Sequence, residues 1–585
     1  MNRNTELHFS HTPQIDIKRS KFAMPSSHKT TFNVGDCIPL YVDSDILPGD
    51  TVQMDMAELV RMATPIYPIM DNLYMDIYWF FCPHRLVWDH WQEFWGENDD
   101  PWTQETEYEI PQITAPSGGW TEGTIADYMG IPTKIGNISV NALPFRSFAK
   151  TWNDWFRDEN LKKCCHVYKD ETTRTGTNGT SYVTDVELGG KPPKVAKMHD
   201  YFTSALPSMQ KGPAVTIPIG SDRAPVTGSI TTNINGMGDK PVFATLNKNH
   251  TKSNEDIRFG TNNLTNGQFQ LLGAYKVDAN TTALLGSTGN SSPQTQSGST
   301  TGFPPNNLYA DVTGLTASST LQNTYADLSS AVAATISQLR TAFAIQKYYE
   351  NAGLHGTRYI EYIRSVFGVT SSDARMQRSE YLGGQRVPIN IDQILQTSST
   401  DQTSPQGNTA GFSCTINQDS MFTKSFEEHG TLLCIACIRT EHTYQQGLKR
   451  MWTRKKWVHF YNPFFAHLSE QPVEVRELYC TGTSADTEAV GYQEAWADYR
   501  YKNNYVSGYM RSNATGSLDV WHFADNYNTQ PILGTTWIDE PYENVDRTIA
   551  VTSQLTHQFI GDFYFNAHYT RPMPVYSVPG LIDHV

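Results

Sequence analysis

The sequence predicts a mainly β protein: one antiparallel β-sandwich with long loop insertions that contain several helices. Three observations predict it. Short aromatic-rich apolar runs bounded by Gly and Pro lie toward both ends of the 585-residue chain. Helical periodicity is confined to the stretches between them. Strands and helices do not alternate as βαβ units would, so a parallel sheet is not indicated.

The first thirty residues carry Arg3, Lys18, Arg19, Lys21 and Lys29 against Glu6 and Asp16 and show no periodicity, which reads as an extended N-terminal arm over 1–30. Residues 31–50 are short apolar pieces cut by Gly35, Pro39, Pro48 and Gly49, a strand-and-turn pattern. Residues 74–82, YMDIYWFFC, read as a buried strand ended by Pro83. A helical patch follows around 86–95, with Leu86, Trp91, Phe94 and Trp95 as its apolar side. A second helix is predicted over 144–163. Pro144 suits its first turn, and Phe145, Phe148, Trp152, Trp155 and Phe156 fall at helical spacing. These rings read as core or interface anchors. Residues 31–220 thus form the first part of the sandwich with helical insertions.

Composition changes over 221–323. In 281–302, 18 of 22 residues are Ser, Thr, Gly, Asn or Gln and none is charged, so this stretch buries too little apolar area to order itself. Strand-like pieces at 242–246 and 268–277 favour a protruding insertion with a flexible tip over a plain linker. The Asn-x-Ser/Thr triplets at Asn263, Asn280 and Asn290 read as chance matches in an Asn/Thr-rich segment. A helix is predicted over 327–351, where Leu328, Val332, Ile336, Leu339 and Phe343 step by three and four, with Gly353 as its stop. Beyond Gly383-Gly384, strand-like pieces return at 412–416, 432–438, 457–460, 499–501 and 559–569. Residues 324–585 therefore supply a helix-containing insertion and the rest of the sandwich.

Charged residues are 18%, against roughly 25% in ordinary soluble domains, while aromatics reach 12%. A surface poor in charge and rich in rings is one that meets other protein. No run of about 18 apolar residues exists, so no membrane insertion is expected. The polar start, residues 1–10, lacks a secretory h-region, which fits a product that stays in the cytoplasm. Eight cysteines are far too few for a disulfide scaffold, and the lone pair Cys434/Cys437 reads as buried reduced thiols.

No H-E-x-x-H, P-loop, G-x-S-x-G or dinucleotide fingerprint is present. The acids Glu93, Glu97, Asp99, Asp100, Glu105, Glu107 and Glu109 read as a solvated loop rather than a glycosidase pair. Neither catalytic residues nor a metal or cofactor is expected. One segment has nucleic-acid character: GLKRMWTRKKW (447–457) holds Lys449, Arg450, Arg454, Lys455 and Lys456, no acid, and the interleaved Trp452 and Trp457. Cations attract phosphates, and rings stack on unpaired bases at ~1–3 kcal/mol each. A basic strand end or subunit contact fits the residue types equally well.

Several runs carry a resemblance. They are MDNLYMDIYWFFCPHRLVWDHWQEFWGE (70–97), NDWFRDEN (153–160), HDYFTSALPSMQKGPAV (199–215), YADLSSAVAATISQLRTAFAIQKYYE (325–350), GTRYIEYIRSVFGVTSSDARMQRSEYLGG (356–384), TYQQGLKRMW (443–452), GYQEAWADYRYK (491–502) and YSVPGLIDHV (576–585). Colinear over most of the chain, they resemble the major capsid proteins of gokushoviruses, Microviridae bacteriophages with circular single-stranded DNA. The sequence departs from that pattern at His84, often Asn in the family, in the loosely similar stretch 454–459, and at Leu354-His355, which interrupts what is often a double-Gly turn.

The resemblance implies a single viral jelly roll, eight antiparallel strands in two facing sheets. It implies a structural protein without catalysis that self-assembles, sixty copies to a T=1 icosahedral shell, around the genome. The insertion 221–323 matches in placement the family's threefold protrusions, which are proposed to meet the host cell. Asn280, Thr281, Thr282, Ser287, Asn290 and Ser291 are its candidate receptor-facing residues. Implied partners are the single-stranded DNA genome, a scaffolding protein, a small DNA-binding protein and a bacterial surface receptor. The virion is the implied location, with the host cytoplasm during assembly. Lys449, Arg450, Trp452, Arg454, Lys455 and Lys456, with Lys18, Arg19 and Lys21 of the arm, are the candidate DNA contacts. A phage adhesin or a carbohydrate-active β-sandwich protein remains the alternative.

Overall fold

The computed structural model describes residues 18–97, 107–213, 215, 336–355, 358–370, 377–395, 397, 406–407, 409–466 and 468–576, and the strand residues 226–227, 231–233, 239–241, 256–261, 271–278, 281–284 and 325–326. The chain divides into two units: Met1–Pro213 with Lys347–Val585, and Ala214–Gln346.

The larger unit is built on eight long strands: β1 (Ser20–Phe32), β2 (Ile38–Ile46), β3 (Thr51–Met62), β4 (Leu73–Pro83), β5 (Glu380–Pro388), β6 (Thr415–Ser425), β7 (Gly430–Thr440) and β8 (Phe559–Arg571). They form two antiparallel four-stranded sheets, ordered β1-β8-β3-β6 and β5-β4-β7-β2. Consecutive strands thus cross between sheets, except β4 and β5, which pair within one sheet, and the last strand inserts between the first and third. That connectivity is an eight-stranded jelly roll.

Side-chain patterning explains why two sheets form. In β8, Phe559, Phe563, Phe565, Ala567 and Tyr569 are buried while Ile560 and Tyr564 are exposed. In β3, Val52, Met54, Met56 and Val60 face the same interior. This alternation gives the first sheet one apolar face. In the second sheet the central strands, β4 and β7, are buried on both faces. From β4, Met75, Ile77, Trp79 and Phe81 enter the inter-sheet core. Phe80 and Tyr78 point the other way, into a second core with Leu433 and Ile435 of β7.

Short elements cover that outer face. In chain order they are α1 (Trp91–Phe94), α2 (Ile125–Tyr128) and α3 (Leu143–Thr151). Helix α3 lays Phe145, Phe148 and Ala149 on the sheet, beside Trp120 and Trp152. A π-turn, Trp152–Phe156, continues it, and Arg157 is extended. The helix predicted over 144–163 therefore stops earlier, and the patch over 86–95 is a 3₁₀ turn, His84–Leu86, followed by α1.

Other expectations are revised. From Ser20 onward the predicted arm is β1, paired along its length with β8. Its burial is confined to scattered positions, so its sequence lacks the signature of a core strand. Gly383-Gly384 does not precede the strands but lies inside β5, where a Cβ on Gly384 would stand 2.5 Å from the Ile77 carbonyl of β4. Residues 412–416 straddle the strand Thr409–Ser413 and β6. The runs 457–460 and 499–501 are not strands but enter 3₁₀ turns, Trp457–His459 and Ala497–Tyr499. Aromatic β-propensity expresses fit to a sheet surface, and among the described residues neither run pairs with a strand. Gly353 lies within helix α4 (Ile336–His355) rather than beyond it. A Cβ there would make only ordinary contact with Leu206 at 3.4 Å, so neither termination nor close packing requires a glycine. The start of that predicted helix, 327–335, lies outside the described residues.

Within the smaller unit, Asp256–Thr261, Leu271–Asp278 and Thr281–Leu284 form a three-stranded antiparallel sheet. The expected piece at 268–277 overlaps its central strand; the one at 242–246 lies outside the described residues. The polar stretch 281–302 thus begins in a strand.

Candidate assembly and nucleic-acid surfaces

The basic segment lies in the long connection from β7 to β8. Its entry is tied down by side-chain amides: Gln445 donates to the Asp525 carbonyl (3.0 Å) and Gln446 to that of Tyr527 (2.7 Å). Gly447 then passes so close to Glu477 that a Cβ would stand 1.9 Å from its carbonyl oxygen. A 3₁₀ turn, Arg450–Trp452, follows.

The two arginines are spent on the loop itself. Arg450 donates to the Pro472 carbonyl (2.8 Å) and lies 3.8 Å from Glu477. Burial opposes its charge, but Glu477 together with Tyr201, Asp498 and Glu474 outweighs burial and raises its pKa. Arg454 pairs with Asp498, donates to the His459 carbonyl (2.9 Å) and covers the Tyr499 ring at 4.3 Å. Lys449 sits 3.8 Å over the Tyr505 ring. Lys455 and Lys456 are exposed, and among the described residues neither has an ion-pair partner. Trp452 is 69% exposed, Trp457 70% and Phe464 93%. Met451, Phe460 and Tyr461 are exposed beside them. The segment thus presents two free ammonium groups within an apolar, ring-rich surface, held from beneath by two paired arginines.

Of the arm candidates, Lys18 and Arg19 precede β1 and Lys21 lies within it; all three are exposed. Thr281 and Thr282 lie in the strand Thr281–Leu284, whereas Asn280, Ser287, Asn290 and Ser291 lie outside the described residues. The acids Asp99, Asp100 and Glu105 also lie outside them. Cys434 and Cys437, three apart on β7, face opposite sides of the sheet and cannot chelate together. Burial pushes the Cys437 thiol up to about 12. Among the described residues, no His/Cys/Asp/Glu group could hold a metal ion.

A buried ionic cluster escaped the sequence reading. His442, just past β7, lies 3.1 Å from both Asp525 and Glu540, and Lys197 lies 3.8 Å from Asp525. All four are buried. Burial disfavours the imidazolium, but the two carboxylates outweigh it and raise its pKa to about 10. Glu540 also accepts the Thr440 backbone N–H (3.0 Å), so the cluster pins the end of β7. Partners about a hundred residues apart leave no local signal.

The chain folded into this jelly roll matches the model of the family described as capsid protein (F protein) over residues 10–581. The chain belongs to the F-protein capsid family. It is 42% identical to capsid protein VP1 of Spiroplasma virus 4, covering 99% of this chain and 98% of that one. It is 37% identical to VP1 of Chlamydia phage 1 (98% and 97% covered) and 38% identical to VP1 of Bdellovibrio phage phiMH2K (99% and 98%). An F-family member is a structural protein of a multimeric capsid, located in the virion, and not an enzyme. No described helix is long and apolar enough to cross a membrane.

Proposed function

We propose that this chain self-assembles into a T=1 icosahedral shell around a circular single-stranded DNA genome. The observation that carries the assembly reading is the exposed surface over 451–464, where Met451, Trp452, Trp457, Phe460, Tyr461 and Phe464 are all exposed. Contiguous apolar exposure of this kind belongs at interfaces. Repetition of one contact around symmetry axes closes a shell. Electron microscopy of the expressed protein tests it: closed shells are expected, and monomers or fibres would favour a phage adhesin or a carbohydrate-active protein.

Genome contact falls to Lys449, Arg450, Trp452, Arg454, Lys455 and Lys456, with Lys18, Arg19 and Lys21 as arm contacts. Within that set, Lys455, Lys456 and Trp452 are free to meet phosphate and base, while Arg450 and Arg454 shape the turn. Lys455→Gln with Lys456→Gln should lower the yield of full particles while empty shells still form. Normal yield of full particles rejects the assignment. The double change is preferred to removing all five cations, since Arg450 and Arg454 also support the fold.

The insertion 221–323 forms threefold protrusions that meet a bacterial surface receptor, with Asn280, Thr281, Thr282, Ser287, Asn290 and Ser291 facing outward. Three copies around an axis share the core that one polar copy cannot supply. Deleting 281–302 should spare shells but impair attachment; undiminished adsorption to the host rejects this role. Assembly takes place in the host cytoplasm with a scaffolding protein and a small DNA-binding protein.

A further inference from the structure

The cover over the outer face of the second sheet ends at the π-turn. Beyond it, Tyr78, Phe80, Trp155, Phe156 and Tyr381 wall a pocket of about 330 Å³, within the size range of small-ligand sites. Phe80 lies 5.6 Å from Trp155 and 5.7 Å from Tyr381, and those two rings lie 5.9 Å apart. Trp155 is 41% and Tyr381 45% exposed. The indole is held in place: its N–H donates to the Ser379 carbonyl (3.0 Å), and the Arg378 guanidinium stacks on it at 3.7 Å.

The polar lining has a sign. Asp76, almost fully buried, is shared by Arg386 (2.6 Å) and Arg439, so two guanidinium groups meet one carboxylate. The surplus positive charge stands at the pocket, where Arg439 also donates to the Tyr78 hydroxyl (3.0 Å). Arg157 spends one N–H on the Lys162 carbonyl (2.8 Å), while among the described residues no acceptor meets its buried Nε. His199 is exposed on the rim. Lys197 is taken up by Asp525, and the one lining acid, Asp158, already accepts the N–H groups of Asn160 (2.9 Å) and Leu161 (2.8 Å). In a chain of net charge −15, this is an aromatic pocket with an uncommitted guanidinium donor and unbalanced positive charge.

Rings that take a base face beside guanidinium groups that take a phosphate are the elements of single-strand recognition. We propose that this pocket holds an unpaired nucleotide of the enclosed strand, its base against Trp155 and Tyr381 and its phosphate at Arg157 and Arg439. The proposal rests on the genome-enclosing reading above but is independent of the 447–457 loop. An apolar side chain would leave the surplus charge unused.

The test uses whole particles carrying 5-iododeoxyuridine-substituted DNA, crosslinked by light and mapped by mass spectrometry. Adducts are expected on Trp155 or Tyr381. DNA-containing particles that give adducts only at Trp452 or Trp457, or none, overturn the pocket and leave the genome reading standing; particles without DNA overturn that reading itself. A second measurement uses the purified full chain and an oligothymidylate. Trp155→Ala should weaken binding roughly 5- to 150-fold, Trp155→Phe much less, and an abasic strand should not distinguish the variants. If Trp155→Ala instead lowers shell yield with DNA adducts and affinity unchanged, the pocket seats a second copy of the chain and the proposal fails.

Discussion

The two sheets of the jelly roll have the same strand count and opposite surroundings. The β1-β8-β3-β6 sheet is apolar on its inner face and exposed on much of its outer one: β8 alternates buried and exposed almost without exception. The β5-β4-β7-β2 sheet carries its central strands, β4 and β7, buried on both faces. The difference arises in the connections. Residues between β4 and β5 fold back as α3 and its neighbours over the second sheet and build a second core around Phe80, Phe145, Phe148 and Trp152. A sheet strand can therefore be continuously apolar in an antiparallel protein, provided an insertion covers its far side.

The comparison can be broken first at its heaviest point. Phe148→Ala should cost about 3–5 kcal/mol, as an inner-core deletion does. Urea unfolding of the full chain measures it, and a loss below about 1 kcal/mol would mean that the cover is not core. Next is the clamp on β7. His442→Gln leaves Glu540 buried without its cation and Asp525 with Lys197 alone, and should cost roughly 3–5 kcal/mol. The folded pKa of His442, about 10, lies above its ordinary 6.5, so its stabilisation is complete below pH 6.5 and lost as pH rises through 10. The gap in Tm between wild type and variant should therefore be widest near pH 6 and close toward pH 10; a gap that is flat with pH argues for simple packing.

A smaller effect concerns the edge where the sheets meet. Glu58 of β3 accepts from Asn417 of β6 (2.7 Å) and Gln385 of β5 (2.9 Å). Burial outweighs these bonds and raises its pKa from 4.5 to about 7. The folded chain then holds a proton that the unfolded chain releases, so stability falls as pH rises from 4.5 to 7 and stays lower above that. Glu58→Gln should flatten that slope and raise Tm at pH 8; an unchanged slope would place the pH dependence elsewhere. The smallest effect marks the exposed face: Tyr564→Ala on β8 should shift stability by no more than about 0.5 kcal/mol. A larger loss in assembled shells than in the free chain would show that this face is covered by another subunit.

The strands that announce themselves are those with a dense apolar run. The runs within β4, β7 and β8 are bounded correctly to within one or two residues. The family, too, was legible, because its motifs are spread colinearly over the chain. β1 was not: eight of its 13 residues face solvent, and it reads as a polar arm until β8 is placed beside it. Residues 457–460 show the reverse error, with strand-like chemistry and, among the described residues, no strand paired to them. At the basic loop, residue type alone showed five cations; only Glu477 and Asp498, near in space, separate the two structural arginines from the free lysines.

By itself, then, the sequence determined the fold class and the poverty of charge that suits a chain of a multimeric capsid. These follow from local periodicity and composition. The tertiary structure decided which runs pair, which charges are spent and where rings gather into a pocket. Phe32 meets Phe559, and Asp76 meets Arg439, across hundreds of residues. Burial and hydrogen-bond satisfaction are properties of neighbours in space, and no window along the chain contains them.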